Sequence, residues 1–404
     1  MITIEKAFEY LESSKQRGMV LGLSVMRELT EKLGNPQNKL KNIIHIAGTN
    51  GKGSVGAFLE SVLTEAGYKV GRYSSPAVFS YFEIFRKNNK NITESELCSC
   101  MEQIMSVKTD TAPTSFEIET ALAFIYMSDC DYCIIETGLG GREDATNVID
   151  IEKLAVLTLI SLDHMHVLGD TVAKITAEKC GIFNSLTTVI SAKQTADAEE
   201  VIRQYSAKLP LIFADDAVNI RNCENYQLFD CGEYKDIKIS LLGAFQSDNA
   251  STALTVLKAL GISEMQIRNG FEKAVWHGRF DVISKEPLII ADGAHNKSAF
   301  LQLRKTLEEY YPDKKFNFIT GVLRDKDYPC AAKIFAPIAD AVYTITPDNP
   351  RALDNKAYAQ EFKKHKINAV PIELTDIKKA INPDGINIIF GSLSFMDKVF
   401  EILN

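Results

Sequence analysis

Ten consecutive residues, His45-Ile46-Ala47-Gly48-Thr49-Asn50-Gly51-Lys52-Gly53-Ser54, place glycines, a lysine and a serine between an apolar run and a helical pattern. Glycines let successive N–H groups turn into one concavity, and the helix that follows adds its positive end, a combination suited to polyphosphate. Lys52 would reach the β- and γ-phosphates, and Ser54 would offer its hydroxyl to a Mg²⁺ bridging them. The match to the general phosphate-loop pattern is imperfect, because Ile46 stands where its first glycine would and Gly53 separates Lys52 from Ser54.

Further chemistry follows other apolar runs. Glu136 closes Cys133-Ile134-Ile135-Glu136-Thr137-Gly138, where a second-strand acid holds a nucleotide's Mg²⁺ or its water, and Gly140-Gly141-Arg142 comes soon after. His164, after a strand at 154–160, puts an imidazole at the same sheet edge; this is unusual beside Mg²⁺, which prefers oxygen. Lys179 lies in the last turn of a helix over 170–180, where a lysine ordinarily complements the dipole. Asp292-Gly293-Ala294-His295-Asn296 supplies an acid, a flexible turn and an imidazole. Arg279, in Gly278-Arg279-Phe280, is a cation suited to a γ-phosphate that is neutralised only on domain closure.

The elements that must position these groups are read from apolar spacing. Helical spacing over 3–13 and 22–33, the latter stopped by Gly34-Asn35-Pro36, precedes the run Ile43-Ile44-His45-Ile46. Between them, Met19-Val20-Leu21 reads as a packed connection or the wall of a ligand site. A helix beginning near Val55 ends at Gly67; strands at 68–73, 131–136 and 154–160 then alternate with helices at 93–108, 116–128 and 170–180. Polar residues gathered after strand ends describe a parallel sheet whose ligands lie at its carboxyl edge. Residues 225–243 read as short antiparallel strands and 246–273 as two helices. Alternation restarts beyond Trp276-His277-Gly278, with strands at 288–291, 316–320, 341–345 and 386–390. The expectation is an α/β protein with a phosphate-loop domain over 1–276 and a smaller α/β domain over 278–404, which serves the first domain's nucleotide.

Composition narrows the function. A chain of 404 residues exceeds what one core usually organises, and a formal charge of −8 argues against broad binding to nucleic acid or anionic membrane. No uninterrupted apolar run approaches membrane-spanning length, and the N-terminus lacks a basic stretch leading into an apolar one. The eight cysteines lack metal-like paired spacing, and Cys130-x-x-Cys133 reads as buried and reduced, so a cytoplasmic setting is expected.

In order, Leu33-Gly34-Asn35-Pro36-Gln37, the glycine loop, Ser75-Pro76, Glu136 through Asn147, Asp163-His164, Leu168-Gly169, Glu178-Lys179-Cys180-Gly181-Ile182, Gly278-Arg279-Phe280, Asp292 through Asn296 and Asp325-Lys326-Asp327 together resemble the folylpolyglutamate synthase/dihydrofolate synthase family, a branch of the Mur-type ATP-dependent ligases. The resemblance runs nearly end to end and implies a Mur-type central ATPase domain with a smaller, Rossmann-like C-terminal domain. Carried over by position, Gly48, Thr49, Asn50, Gly51, Lys52, Gly53 and Ser54 cradle ATP, and Asn249, Arg279, Asp292 and His295 hold it from the hinge and second domain. Ser54, Glu136 and His164 are Mg²⁺ ligands, and Ser75 lies near a second metal. Lys179 is carbamylated into an anionic ligand for that second metal, replacing the helix-terminus reading. Lys52, His164 and Lys179 thereby form the catalytic set.

The implied reaction phosphorylates a carboxylate with ATP and lets the amine of L-glutamate displace phosphate from the acyl phosphate. The acceptor is dihydropteroate, a reduced folate, or both, and the enzyme is expected to be a monomer. Three departures stand out: Ala77 replaces the histidine of Ser-Pro-His, Phe245 the histidine of Gly-x-His-Gln, and Ser24-Val25 the end of Gly-Leu-Asp/Glu-Arg; the first and third lie near the expected pterin and glutamate side and bear on substrate detail. The rival readings are a Mur-type ligase for another acid, opposed by the short stretch before the phosphate loop, and an ATP binder without catalysis. Retained Ser54, Glu136, His164 and Lys179 oppose the second.

Overall fold

In the computed structural model, residues 2–18, 20 and 22–403 are described. Met19 and Leu21 lie outside them, and of that apolar patch Val20 alone is placed, exposed to solvent.

The larger sheet has eight strands: β1 (Ile43–Ala47), β2 (Val70–Tyr73), β3 (Phe85–Lys87), β4 (Lys90–Asn91), β5 (Tyr132–Glu136), β6 (Lys153–Leu157), β7 (Thr187–Ser191) and β8 (Leu211–Phe213), in the order β4-β3-β2-β5-β1-β6-β7-β8. All pairs are parallel except the β2-β3-β4 edge, whose short antiparallel strands cap the sheet. β1 is central and buried along its whole length, which is why it reads as an apolar run without alternation. The chain moves from β1 to one side for β2 and β5 and to the other for β6. The crevice above β5, β1 and β6 is therefore where a doubly wound sheet binds its ligand.

A three-stranded antiparallel sheet follows: β9 (Ala217–Asn222), β10 (Gln227–Cys231) and β11 (Tyr234–Ile239). Helices Gln246–Ala259 and Glu264–Lys273 pack beneath it and against helix Lys52–Glu65 in one apolar cluster with Val55, Phe58, Val62 and Phe271. The last sheet contains β12 (Asp281–Lys285), β13 (Leu288–Asp292), β14 (Phe316–Thr320), β15 (Ala339–Thr344), β16 (Val370–Pro371) and β17 (Asn387–Phe390), in the order β12-β13-β17-β14-β15-β16, parallel but for β12. It has its own core around Phe300, Phe318, Phe335 and Phe390. The architecture is α/β with two domains, as expected.

Local differences from the expected elements have physical causes. The helix after the glycine turn starts at Lys52, ahead of Val55, because Gly51 takes φ +93° and lets Lys52, Gly53 and Ser54 form the first turn. β6 stops at Leu157, short of residue 160, because the Leu159 carbonyl turns back to accept the N–H groups of Thr49 and Asn50 at 3.0 and 3.1 Å. His164 therefore lies beyond the strand, as the left-handed cap of the short helix Met165–Leu168. The antiparallel sheet begins at Ala217, earlier than expected, on a strand whose residues are mostly exposed and carry little apolar pattern. Cys130 and Cys133 are both buried and free. No helix among the described residues is long and apolar enough to cross a membrane.

Candidate active site

The ends of β1, β5 and β6, the hinge after Trp276 and the end of β13 enclose one cavity of about 720 Å³. Its wall includes Gly48 through Ser54, Ser75, Glu136, His164, Lys179, Asn249, Arg279, Asp292 and His295, so every site residue expected from sequence faces a single space.

The phosphate loop is fixed on both sides. Thr49 donates through Oγ1 to the Ser161 carbonyl at 3.0 Å and accepts from Ser161 N–H at 3.1 Å. Gly53 packs against Trp276 so closely that a Cβ would come within 2.5 Å of the indole ring. Behind the indole the buried Arg72 guanidinium stacks at 4.2 Å and pairs with buried Glu60 at 3.0 Å. Asn249 presses its amide against Gly51, where a side chain would collide with it. Ser54 is buried in the first helical turn. Glycine at 51 is thus demanded by its neighbour as well as by its left-handed backbone, and glycine at 53 by the indole packed against it.

Two lysines converge on the Gly48 carbonyl, Lys179 at 2.7 Å and Lys52 at 3.3 Å. Lys52 also lies 3.6 Å from the Glu136 carboxylate. Burial pushes the Glu136 carboxyl up from its ordinary range, against the pull of Lys52, Arg72 and Arg279. Burial, and then the charge of Lys52, depress the Lys179 amine to about 7. Gly141 makes this approach possible, since a Cβ there would sit 2.8 Å from the carbonyl oxygens of Glu178 and Lys179. Burial, then Lys326, lower the His164 imidazole to about 4, which leaves it neutral at pH 7.

From the second domain, Asp292 accepts from Phe280 N–H and Ala294 N–H, both at 2.8 Å, and so fastens the hinge to the end of β13. Arg279 donates to its neighbour's carbonyl, Gly278 O, at 2.9 Å, and its charge acts on Glu136 and Asp292. His295 Nδ1 pairs with the Gly293 carbonyl at 2.9 Å, and its Nε2 faces Asp163 at 3.7 Å. Sequence reasoning missed the Arg72–Trp276 support and the part played by Asn296 and Lys326. Their partners are distant in the chain; the lone tryptophan beside the hinge motif and the motif stretches that contain Asn296 and Lys326 were signals that these residues mattered, but not of what they contact.

The donor set fits Mg²⁺ with a polyphosphate. Ser54 and Glu136 offer oxygen next to Lys52, and among the described residues no three His, Cys, Asp or Glu side chains gather as a closed metal cluster. Mg²⁺ characteristically takes one or two protein oxygens and completes its shell with water and phosphate.

A parallel sheet with a phosphate loop at its carboxyl edge, facing a second α/β domain across a cleft, is the arrangement of an ATP-dependent ligase of the Mur type. The Mur ligase middle domain matches residues 46–257, and the Mur ligase, glutamate ligase domain matches residues 278–392. The chain is 33% identical to a dihydrofolate synthase/folylpolyglutamate synthase of Bacillus subtilis, over 98% of each chain. It is 32% identical to the enzyme of that name from Escherichia coli, over 88% of this chain and 84% of the other. A Mycobacterium tuberculosis folylpolyglutamate synthase complexed with ADP superposes with a TM-score of 0.90 at 27% identity, covering 99% of both chains. E. coli FolC in complex with DHPP and ADP superposes with a TM-score of 0.87 at 28% identity, covering 100% of this chain and 98% of that one. The chain belongs to the folylpolyglutamate synthase/dihydrofolate synthase family.

Proposed function

We propose that the protein joins L-glutamate to the carboxylate of a pterin or folate acceptor, dihydropteroate or a reduced folate, at the expense of ATP. The observation that carries this reading is the convergence of the phosphate loop, Lys52, Glu136 and the second-domain residues Arg279 and His295 on one cleft. End-to-end similarity to enzymes of that name favours it over a ligase for another acid.

The acceptor carboxylate attacks the γ-phosphorus of ATP and ADP leaves, giving an acyl phosphate. Lys52 and the loop N–H groups stabilise charge on the phosphoryl oxygens, and Arg279 adds a cation from the hinge. The glutamate amine then attacks the acyl carbon, phosphate departs and the amine loses a proton. The cleft between the domains must exclude water, which would otherwise hydrolyse the acyl phosphate. Mg²⁺ held by Ser54 and Glu136 would supply Lewis-acid neutralisation of the phosphates.

The metal set in this reading adds His164 to Ser54 and Glu136 and would give a second Mg²⁺ the carbamylated Lys179, with Ser75 nearby. Its support is the neutral imidazole of His164 and a buried amine whose depressed pKa, about 7, leaves much of it unprotonated and reactive toward CO₂. Asn249, Arg279, Asp292 and His295 hold ATP, with Asp292 acting through the hinge it fastens. The domains divide at 276–278, supported by the end of helix Glu264–Lys273 and by β12 joining the last sheet. The protein is taken to act as a cytoplasmic monomer.

The test is amide formation from ATP, L-glutamate and each acceptor in turn. Product with dihydropteroate, tetrahydrofolate or both is expected; product with neither, from folded protein that binds ATP, would refute the reading.

A further inference from the structure

Asp325-Lys326-Asp327 follows β14 at the cleft, and its two acids are engaged within the second domain. Asp325 pairs with Arg351 at 3.4 Å, and Asp327 caps helix Tyr328–Phe335 by accepting from Cys330 N–H at 3.2 Å. Lys326 instead reaches across to the first domain. Its Nζ lies 2.9 Å from Asp163 Oδ1, with side chains only 9% and 12% exposed.

The other oxygen, Asp163 Oδ2, accepts from Asn296 Nδ2 at 3.0 Å. The same amide nitrogen lies 3.3 Å from Asn50 Oδ1 in the phosphate loop, while Asn296 Oδ1 caps helix Lys297–Tyr310 by accepting from Ala299 N–H at 2.9 Å. Both oxygens of one first-domain carboxylate are thus held by second-domain donors that sit at helix starts. Ser161, two residues before Asp163, is bonded in both directions to Thr49. A continuous path therefore runs from the second domain through Asp163 to the phosphate loop.

A buried ion pair contributes little net stability, because desolvation offsets attraction, but it fixes register where its geometry is specific. We infer that Asp163, with Lys326 and Asn296, is an interdomain clasp that positions the closed cleft for ligation. The inference rests on the ligase reading above. With the clasp formed, the second domain seals the acyl phosphate from water; without it, nucleotide still binds the phosphate loop, but the cleft admits water and phosphate is released without amide.

The experiment measures phosphate and amide in the same reaction for the wild type and for Lys326→Met, Lys326→Arg, Asn296→Ala and Asp163→Asn, alongside X-ray scattering with a non-hydrolysable ATP analogue. For Lys326→Met the expected results are amide kcat lower by at least about tenfold, more than one phosphate released per amide, and a larger radius of gyration with the analogue. Lys326→Arg should recover much of the coupling. Asp163→Asn combined with Lys326→Met should be little worse than either alone, the mark of a shared interaction. The clasp is refuted if Lys326→Met keeps the wild-type ratio and scattering, even with slower turnover. If Asp163→Asn fails to fold, the variants on the second-domain side decide the matter. Absence of amide from the wild type would refute the ligase reading, and the scattering comparison would still judge the clasp.

Discussion

Lys52→Ala should lower turnover by at least ~10²-fold, the order expected when one preorganised charge-stabilising group is lost, while the fold survives. Lys52 is the first residue of its helix, and among the described residues its ammonium meets the Gly48 carbonyl and Glu136. Truncation therefore removes these two polar contacts and leaves the helix's apolar residues Val55, Phe58, Leu59 and Val62 in their cluster. Glu136→Ala should cost a similar factor for a different reason. It deletes the carboxylate proposed to hold Mg²⁺ and leaves Lys52, Arg72 and Arg279 without the charge they surround. Circular dichroism beside a phosphate-release assay separates lost catalysis from lost structure. Turnover near that of the wild type in either variant would remove the phosphate-loop account.

Lys179→Ala should be nearly inactive, and formate or acetate should restore part of the activity by placing a carboxylate where the carbamate stood. An ammonium there would be repelled by metal ions and by Lys52, whereas CO₂ adds to the neutral amine with loss of a proton and leaves an anionic oxygen donor. The amine titrates at about 7, so its reactive, neutral fraction shrinks as pH falls below that value. Wild-type activity at low bicarbonate should fall with it and recover on raising bicarbonate or pH. Intact mass under bicarbonate should show the added group. An unmodified, fully active Lys179, or a Lys179→Ala variant with normal turnover, would return this residue to complementing its helix.

What the sequence made legible depended on how local each cause was. The phosphate loop, its flanking strand and helix, and the glycines at 138–141 follow from a few adjacent residues, and their placement was readable before any coordinates. Two-sided burial of β1 and β5 also announced itself as continuous apolar runs. The exposed strand β9 and the short edge strands β3 and β4 carry weak patterns because their partners lie in the sheet, not in the sequence. Apolar Leu159 and Ile160 continue the pattern of β6, so the sequence alone extends that strand to residue 160, just before His164. The structure spends them differently, turning the Leu159 carbonyl onto the phosphate loop. The clasp at Asp163 was beyond local reading altogether, since Lys326 and Asn296 reach it from another domain. The substituted positions Ala77 and Phe245 both line the cleft.

The central claim is that a substrate carboxylate is activated by phosphorylation. It is tested most directly with a folate acceptor whose reacting carboxylate carries ¹⁸O at both oxygens, turned over with ATP and L-glutamate, followed by mass analysis of the released phosphate. Collapse through an acyl phosphate predicts one ¹⁸O atom in each phosphate formed with amide. Unlabelled phosphate from a reaction that makes amide would contradict the account.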